Sequence, residues 1–216
     1  MTDSKTTLSD LRQAVDTFLL ERDWYQFHSP KIDSMGLVVE AGELLELFLF
    51  CQPTDGGQRV LLEKRESVED ELADCFFWVL CFANTASIDL THAASVSLPV
   101  LIEKTDRETS ISDFKKLVEC SYGGTLEKQS MIISCKASLL MSMFLEEALD
   151  GTGRQLLLEK RNEIEGLLVH VLIAIVQFVE EASIDISIAF TRKLEKNAKK
   201  YPIEKSKGNS KKYTDL

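Results

Sequence analysis

The sequence predicts an all-α protein, and three observations carry that expectation. Apolar residues recur at three- and four-residue intervals along almost the whole chain. Gly and Pro number only 10 and 4 among 216 residues, which leaves long stretches without a helix breaker. Finally, LEKRESVEDELADCFFWVLCFANTASID, from Leu62 to Asp89, returns 96 residues later as LEKRNEIEGLLVHVLIAIVQFVEEASID, with 11 of 28 positions identical. A repeat of this length implies two copies of one helical unit.

The elements follow in order. In LSDLRQAVDTFLLERDW, Leu8, Leu11, Val15, Phe18 and Leu19 form one stripe, with Ser9 as the candidate N-cap. Met35 to Phe50 read as a second helix, apolar around most of its circumference, and CQPTDGGQ as a loop. A third helix is expected from Glu66 to Ala86 and a fourth from Asp89. The polar stretch EKTDRETS then separates the halves. The second half repeats the order: SDFKKLVEC, Ser130 to Leu149, the loop DGTGR, Arg161 to Ala182, and Asp185 to Lys200. The expected architecture is two fused four-helix units forming a covalent pseudo-dimer. Residues 1–102 would be the first unit, 111–201 the second and 202–216 a basic tail.

The net charge of −10 is unevenly spread, because residues 191–216 carry nine Lys/Arg against three acids. An acidic body argues against a nucleic-acid polymer as partner. The five cysteines are scattered without a CxxC pair, which argues against zinc and for buried, reduced thiols. No stretch offers 18 uncharged apolar residues, and the N-terminus lacks an apolar signal core. An intracellular location, cytoplasm or nucleus, with no membrane partner, is therefore expected.

Chemistry enters with the acids. Glu40 and Glu43 lie three apart on the second helix, and Glu71 and Asp74 three apart on the third, each pair on one helix face. On solvated faces such spacing means little. Here both pairs sit in strongly apolar segments, where unpaired carboxylates are costly unless a cation compensates them. Oxygen ligands without His or Cys favour Mg²⁺, with Mn²⁺ as the alternative. The repeat acts as an internal control: the aligned residues are Lys136, Leu139, Leu167 and His170, so all four acids were lost together. A ferritin-type di-iron site would need Glu-x-x-His pairs, and these are missing.

EAGELLELF followed by ELAD resembles the all-α nucleoside triphosphate pyrophosphohydrolases, the MazG and dimeric dUTPase superfamily. FLLERDWYQFHSPK, KLEKNAKKYP and SKKYTDL make it similar to the dCTP pyrophosphatase branch. The resemblance implies hydrolysis of a deoxynucleoside triphosphate, dCTP or a modified dCTP, to the monophosphate and pyrophosphate. It implies Glu40, Glu43, Glu71 and Asp74 as magnesium ligands, with Glu40 and Glu43 as catalytic acids and Glu43 as the candidate base. Lys193, Asn197, Lys200, Tyr201 and Tyr213 would meet the triphosphate, and Trp24, His28, Phe50 and Trp78 the base. The Lys/Asn helix occurs only after the second copy, so that copy would close the site of the first. Phe50, Trp78 and Ile32 depart from the branch's Trp, Tyr and Asn, which leaves dUTP or another nucleotide open as substrate. A homodimer of pseudo-dimers would cover the remaining apolar faces. The alternative is a regulatory or scaffold protein of the same family, with Lys136 and His170 holding a phosphate; the four intact acids argue for the enzyme.

Overall fold

The computed structural model describes residues 1–52, 54–97, 108–118, 124–145 and 151–215. Among these, all regular structure is helical apart from one isolated bridge between Thr7 and Ser110. The 102 boundary, Cys120, and parts of the EKTDRETS and THAASVSLPVLIEK stretches lie outside the described residues, as do the ends of the SDFKKLVEC and Ser130–Leu149 helices.

Helix α1 spans Leu8–Glu21, and its cap is Thr7 rather than Ser9. Thr7 is extended and accepts from the Asp10 N–H, while the Asp10 carboxylate accepts from the Thr7 N–H. This reciprocal box needs an acid at the third helical position, and Asp10 supplies it. Helix α2 runs Pro30–Phe48, starting earlier than apolar periodicity indicates because Ser29 caps it and Pro30 suits the first turn. Its Leu37, Ala41, Leu44 and Phe48 are buried.

Helix α3, Gln58–Thr85, also begins early, with a break at Lys64 (φ −132°, ψ 31°) that separates a short leading segment from the main rod. Helix α4 is Leu90–Ser97, α5 Ile111–Val118 and α6 Leu126–Ser142. The second copy of the broken rod is α7, Arg154–Glu159, and α8, Arg161–Glu181, parted at Lys160 with nearly the same angles (φ −121°, ψ 30°). Helix α9 is Ile186–Lys200, capped by Asp185, and α10 is Ile203–Ser206.

The repeat is visible in three dimensions. Gly57 (φ +90°) and Gly153 (φ +83°), 96 residues apart, each start the broken rod in a left-handed conformation that suits glycine. A Cβ at Gly153 would lie 2.7 Å from the Phe144 ring, and one at Gly57 2.8 Å from Phe48. Lys31 N donates to Thr152 O and Glu127 N to Gly56 O, both at 3.3 Å. Arg65 donates to Ser183 O (2.9 Å) and Arg161 to Ser87 O (2.8 Å). Each bond has its counterpart in the other unit at positions shifted by 96 residues, so the two units face one another about a pseudo-twofold axis.

Helices α2 and α6 pack together at the centre, against α3 and α8 respectively. The fourth helices are exchanged: α9 lies on α3 and α4 on α8. One continuous apolar core results, spanning both units. Helix α8 is long and apolar enough to cross a membrane, but two-thirds (67%) of its most apolar window is buried here, as expected for a core helix. Cys75 and Cys81 are buried, whereas Cys51 is half-buried and Cys135 exposed, so the expectation of buried thiols holds for two of the four described.

Candidate active site

Three helices, α2, α3 and α9, meet with the C-terminal tail at a cavity of about 820 Å³. Glu40 and Glu43 enter from α2 and Glu71 from α3, and carboxylate oxygens of the three lie within 4.8 Å of one another. Asp74, one turn beyond Glu71, also lines the cavity but has a different partner. Lys193 Nζ of α9 is 2.6 Å from its Oδ2, and Asn197 Nδ2 donates to its Oδ1 at 3.2 Å. Acids of the first unit and a lysine of the second thus share one site.

The electrostatics follow from burial. Removal from water raises the Glu40 carboxyl to about 7, with Asp74, Glu43 and Glu71 adding repulsion and Lys193 opposing it. Burial likewise raises Glu71 and Asp74, against the attraction of Lys193. Burial works to lower Lys193, but Asp74 and Glu71 outweigh it and hold the ammonium charged. Glu71 Oε2 is buried with no hydrogen-bond partner. A cluster of oxygen donors with an orphaned carboxylate oxygen fits a hard divalent cation. Helix α9 is pinned by further pairs: Arg192 to Glu69 (2.9 Å) and Asp70 (3.1 Å), and Lys196 to Glu66 (2.7 Å) and Asp70 (2.6 Å).

Around the acids, the cavity is lined by His28, Trp78, Lys193, Asn197, Lys200, Tyr201 and Tyr213, all expected from the sequence. Trp24 lines it too, but its indole N–H is committed to Ser206 O (2.9 Å) and Asn209 O (3.0 Å), tying down the tail. Its ring meets Tyr201 edge-on at 5.1 Å, and Tyr201 in turn meets Tyr213 at 5.9 Å. Phe50 is corrected by the structure: α2 ends at Phe48, the chain turns, and Phe50 stands 89% exposed outside the cavity. The cavity is also lined by Phe77, Val39, Lys211 and Lys212, which neither motif nor resemblance singles out as site residues. Phe77 falls three residues after Asp74, so helical spacing from the acids could have found it.

The equivalent place in the second unit is unlike this one. Leu139 is 45% exposed, and burial together with the neighbouring Lys136 charge lowers the pKa of His170. Among the described residues no acid cluster of this kind occurs there.

Two family models match the chain in tandem. The MazG nucleotide pyrophosphohydrolase domain matches residues 33–107, and the MazG-like family matches residues 127–216. Bovine (Bos taurus) dCTP pyrophosphatase 1 is 30% identical over 129 residues, 59% of this chain and 76% of the relative. The chain belongs to the MazG nucleotide pyrophosphohydrolase family. The enzyme is also 30% identical over 126 residues to human (Homo sapiens) dCTP pyrophosphatase 1, covering 58% of the chain and 74% of the relative. Mouse (Mus musculus) dCTP pyrophosphatase 1 is 38% identical over 88 residues, covering 40% and 52%. No solved structure matches significantly. Membership makes the enzyme a nucleoside triphosphate pyrophosphatase, and the two tandem matches accord with the fused pseudo-dimer.

Proposed function

We propose that the enzyme hydrolyses dCTP, or a modified dCTP, to the monophosphate and pyrophosphate with magnesium, manganese being the alternative ion. The observation that carries this reading is the convergence of Glu40, Glu43 and Glu71 opposite cationic residues of α9 and the tail. Relatives that are dCTP pyrophosphatases support the choice of nucleotide.

The cation would be held by Glu40, Glu43 and Glu71, with Asp74 beside them. When bound, it offsets the charge that develops on the phosphate oxygens. The chain's own groups do the rest. Lys193, Lys200, Lys211 and Lys212 attract the triphosphate, and Asn197 is positioned to donate to it. Glu43, the exposed member of the trio, accepts a proton from the attacking water. The water oxygen bonds to the α-phosphorus as the bond to the bridging oxygen breaks, and pyrophosphate leaves. His28 and Trp78 receive the base, and because His28 Nδ1 is bonded to Asp33, Nε2 is the ring nitrogen left for it.

The reading extends to a nucleotide-pool role inside the cell, supported by the four described cysteines, which are free thiols, and to a homodimer of pseudo-dimers. The test is pyrophosphate release with Mg²⁺ across the common nucleoside triphosphates plus dUTP and 5-methyl-dCTP, with Glu43→Ala in parallel. Turnover of dCTP, abolished by the substitution, is expected. Turnover confined to another nucleotide would overturn the base assignment, and no turnover from folded protein would leave a scaffold as the better account.

A further inference from the structure

Gly36 lies in the interior of α2, where glycine is a poor helix former. Its surroundings give the reason. A Cβ there would stand 2.5 Å from two carbons of the Trp78 ring and 2.6 Å from a third, closer than any real contact. Gly42, in the same helix, has nothing within 4 Å of the equivalent point. The bare backbone at Gly36 is therefore a seat for the indole.

The indole is also held from elsewhere. It stacks on the His28 ring at 5.5 Å and 28°. His28 Nδ1 is 2.6 Å from Asp33 Oδ1, and Thr85 Oγ1 donates to Asp33 Oδ2 at 2.6 Å. Asp33 is fully buried, so this lock is sheltered from water. Trp78 cannot shift towards His28 without disturbing that chain.

The second unit inverts the arrangement. At the positions of Gly36 and Trp78 it has Ile132 and Ala174, placing the large side chain on the other helix. His28, Asp33 and Thr85 are replaced there by Gly124, Gln129 and Glu181. The fold accepts either order of large and small, so packing alone does not require glycine on α2 and tryptophan on α3. The seated tryptophan accompanies the unit that keeps the acids.

We propose that Gly36 is a positioning residue, acting through Trp78 to set the width of the cavity where the base of the substrate lies. The assignment rests on the reading of this cavity as the nucleotide site. An added methyl would push the indole into that space while leaving Glu40 and Glu71 on their helices. Binding would suffer more than turnover.

The experiment compares Gly36→Ala in two backgrounds, natural Trp78 and Trp78→Ala, with Gly42→Ala as the control for alanine in α2. With Trp78 present, KM for the triphosphate is expected to rise about tenfold while kcat stays within about twofold. In the Trp78→Ala background, Gly36→Ala should change KM by less than about twofold, because no ring is left to displace. Equal effects in both backgrounds, or none with Trp78 present, would overturn the proposal. A second readout needs no substrate: in a Trp24→Phe chain, Trp78 is the sole tryptophan, and Gly36→Ala should shift its fluorescence emission whereas Gly42→Ala should not. Failure of the unsubstituted chain to turn over any triphosphate would count against the functional reading; an unmoved emission would count against the seat itself.

Discussion

Lys193 Nζ lies 2.6 Å from Asp74 Oδ2, joining α9 of the second unit to α3 of the first inside the acidic site. Both side chains are nearly withdrawn from solvent, at 9% and 14% exposure. A pair so placed is costly to break from one side, since the survivor is left charged and unsolvated. Lys193→Met should therefore destabilise the protein by about 3 kcal/mol in denaturant unfolding. It should also lower kcat/KM by about 100-fold. Lys196→Ala removes a more exposed cation, 34% accessible, and should cost less than about 1 kcal/mol. Equal losses from the two would show that Lys193 is an ordinary clamp residue.

The same enclosure makes the acids a burden on the metal-free fold. Glu40 is raised from 4.5 to about 7, so between those values the folded protein binds a proton that the unfolded chain has already released. This contribution is fully favourable below about 4.5 and is lost as pH rises through 7. In chelator, the melting temperature should fall from pH 5 to pH 8 more steeply than for Glu40→Gln. At pH 8 Glu40→Gln should be the more stable protein, by about 2 kcal/mol, yet inactive. Magnesium should raise the melting temperature of the natural chain at pH 8 and leave Glu40→Gln little changed. A less stable Glu40→Gln protein would mean that the charge of Glu40 is compensated within the fold.

Much of this was legible in the sequence because repeats and helical spacing are local signals. The alignment of Leu62–Asp89 with Leu158–Asp185 predicts two units, and i, i+3 acids predict one face. What escaped depended on backbone conformation or on distant neighbours. The start of α2 at Pro30 is the exception, a local Ser29–Pro30 capping signal that apolar periodicity alone overlooks; the break at Lys64 recurs at Lys160 although LEKR itself contains no breaker. The family resemblance implies Phe50 as a pocket residue, but the helix stops two residues short and turns it outward. Trp24 lies in the cavity, but no spacing rule could reveal that its N–H holds two carbonyls some 182 and 185 positions away.

That tether leads to a prediction about the tail. Besides Trp24, the Gly208 N–H donates to Arg22 O at 2.8 Å, while Lys211 and Lys212 beyond it are exposed and line the cavity. Trp24→Phe keeps the apolar ring and removes both hydrogen bonds to the tail. Trypsin should then cut after Lys211 and Lys212 about tenfold faster, since proteolysis follows the population of the open form. KM for the triphosphate should rise by about fivefold with kcat nearly unchanged, the pattern of lost uniform binding. Unaltered proteolysis would show that Tyr201 and Tyr213 hold the tail without help.

Exposed apolar residues recur in register with the repeat: Met35 with Met131, Leu49 with Leu145 and Leu62 with Leu158. The two units have diverged widely, with only 11 of 28 positions shared along the third helix and its repeat, yet these pairs are identical. A partner that meets both units alike must itself be twofold, and a second copy of the chain has that property. Met35 and Met131 are the pair to test, 46% and 56% exposed on α2 and α6, which pack together at the centre. Light scattering coupled to size exclusion should give about twice the 24.4 kDa chain mass for the natural protein. Met35→Asp with Met131→Asp should give a folded monomer, because a buried charge is costly only where an interface excludes water. A natural chain that elutes as a monomer at micromolar concentration would leave these methionines as surface residues with no partner.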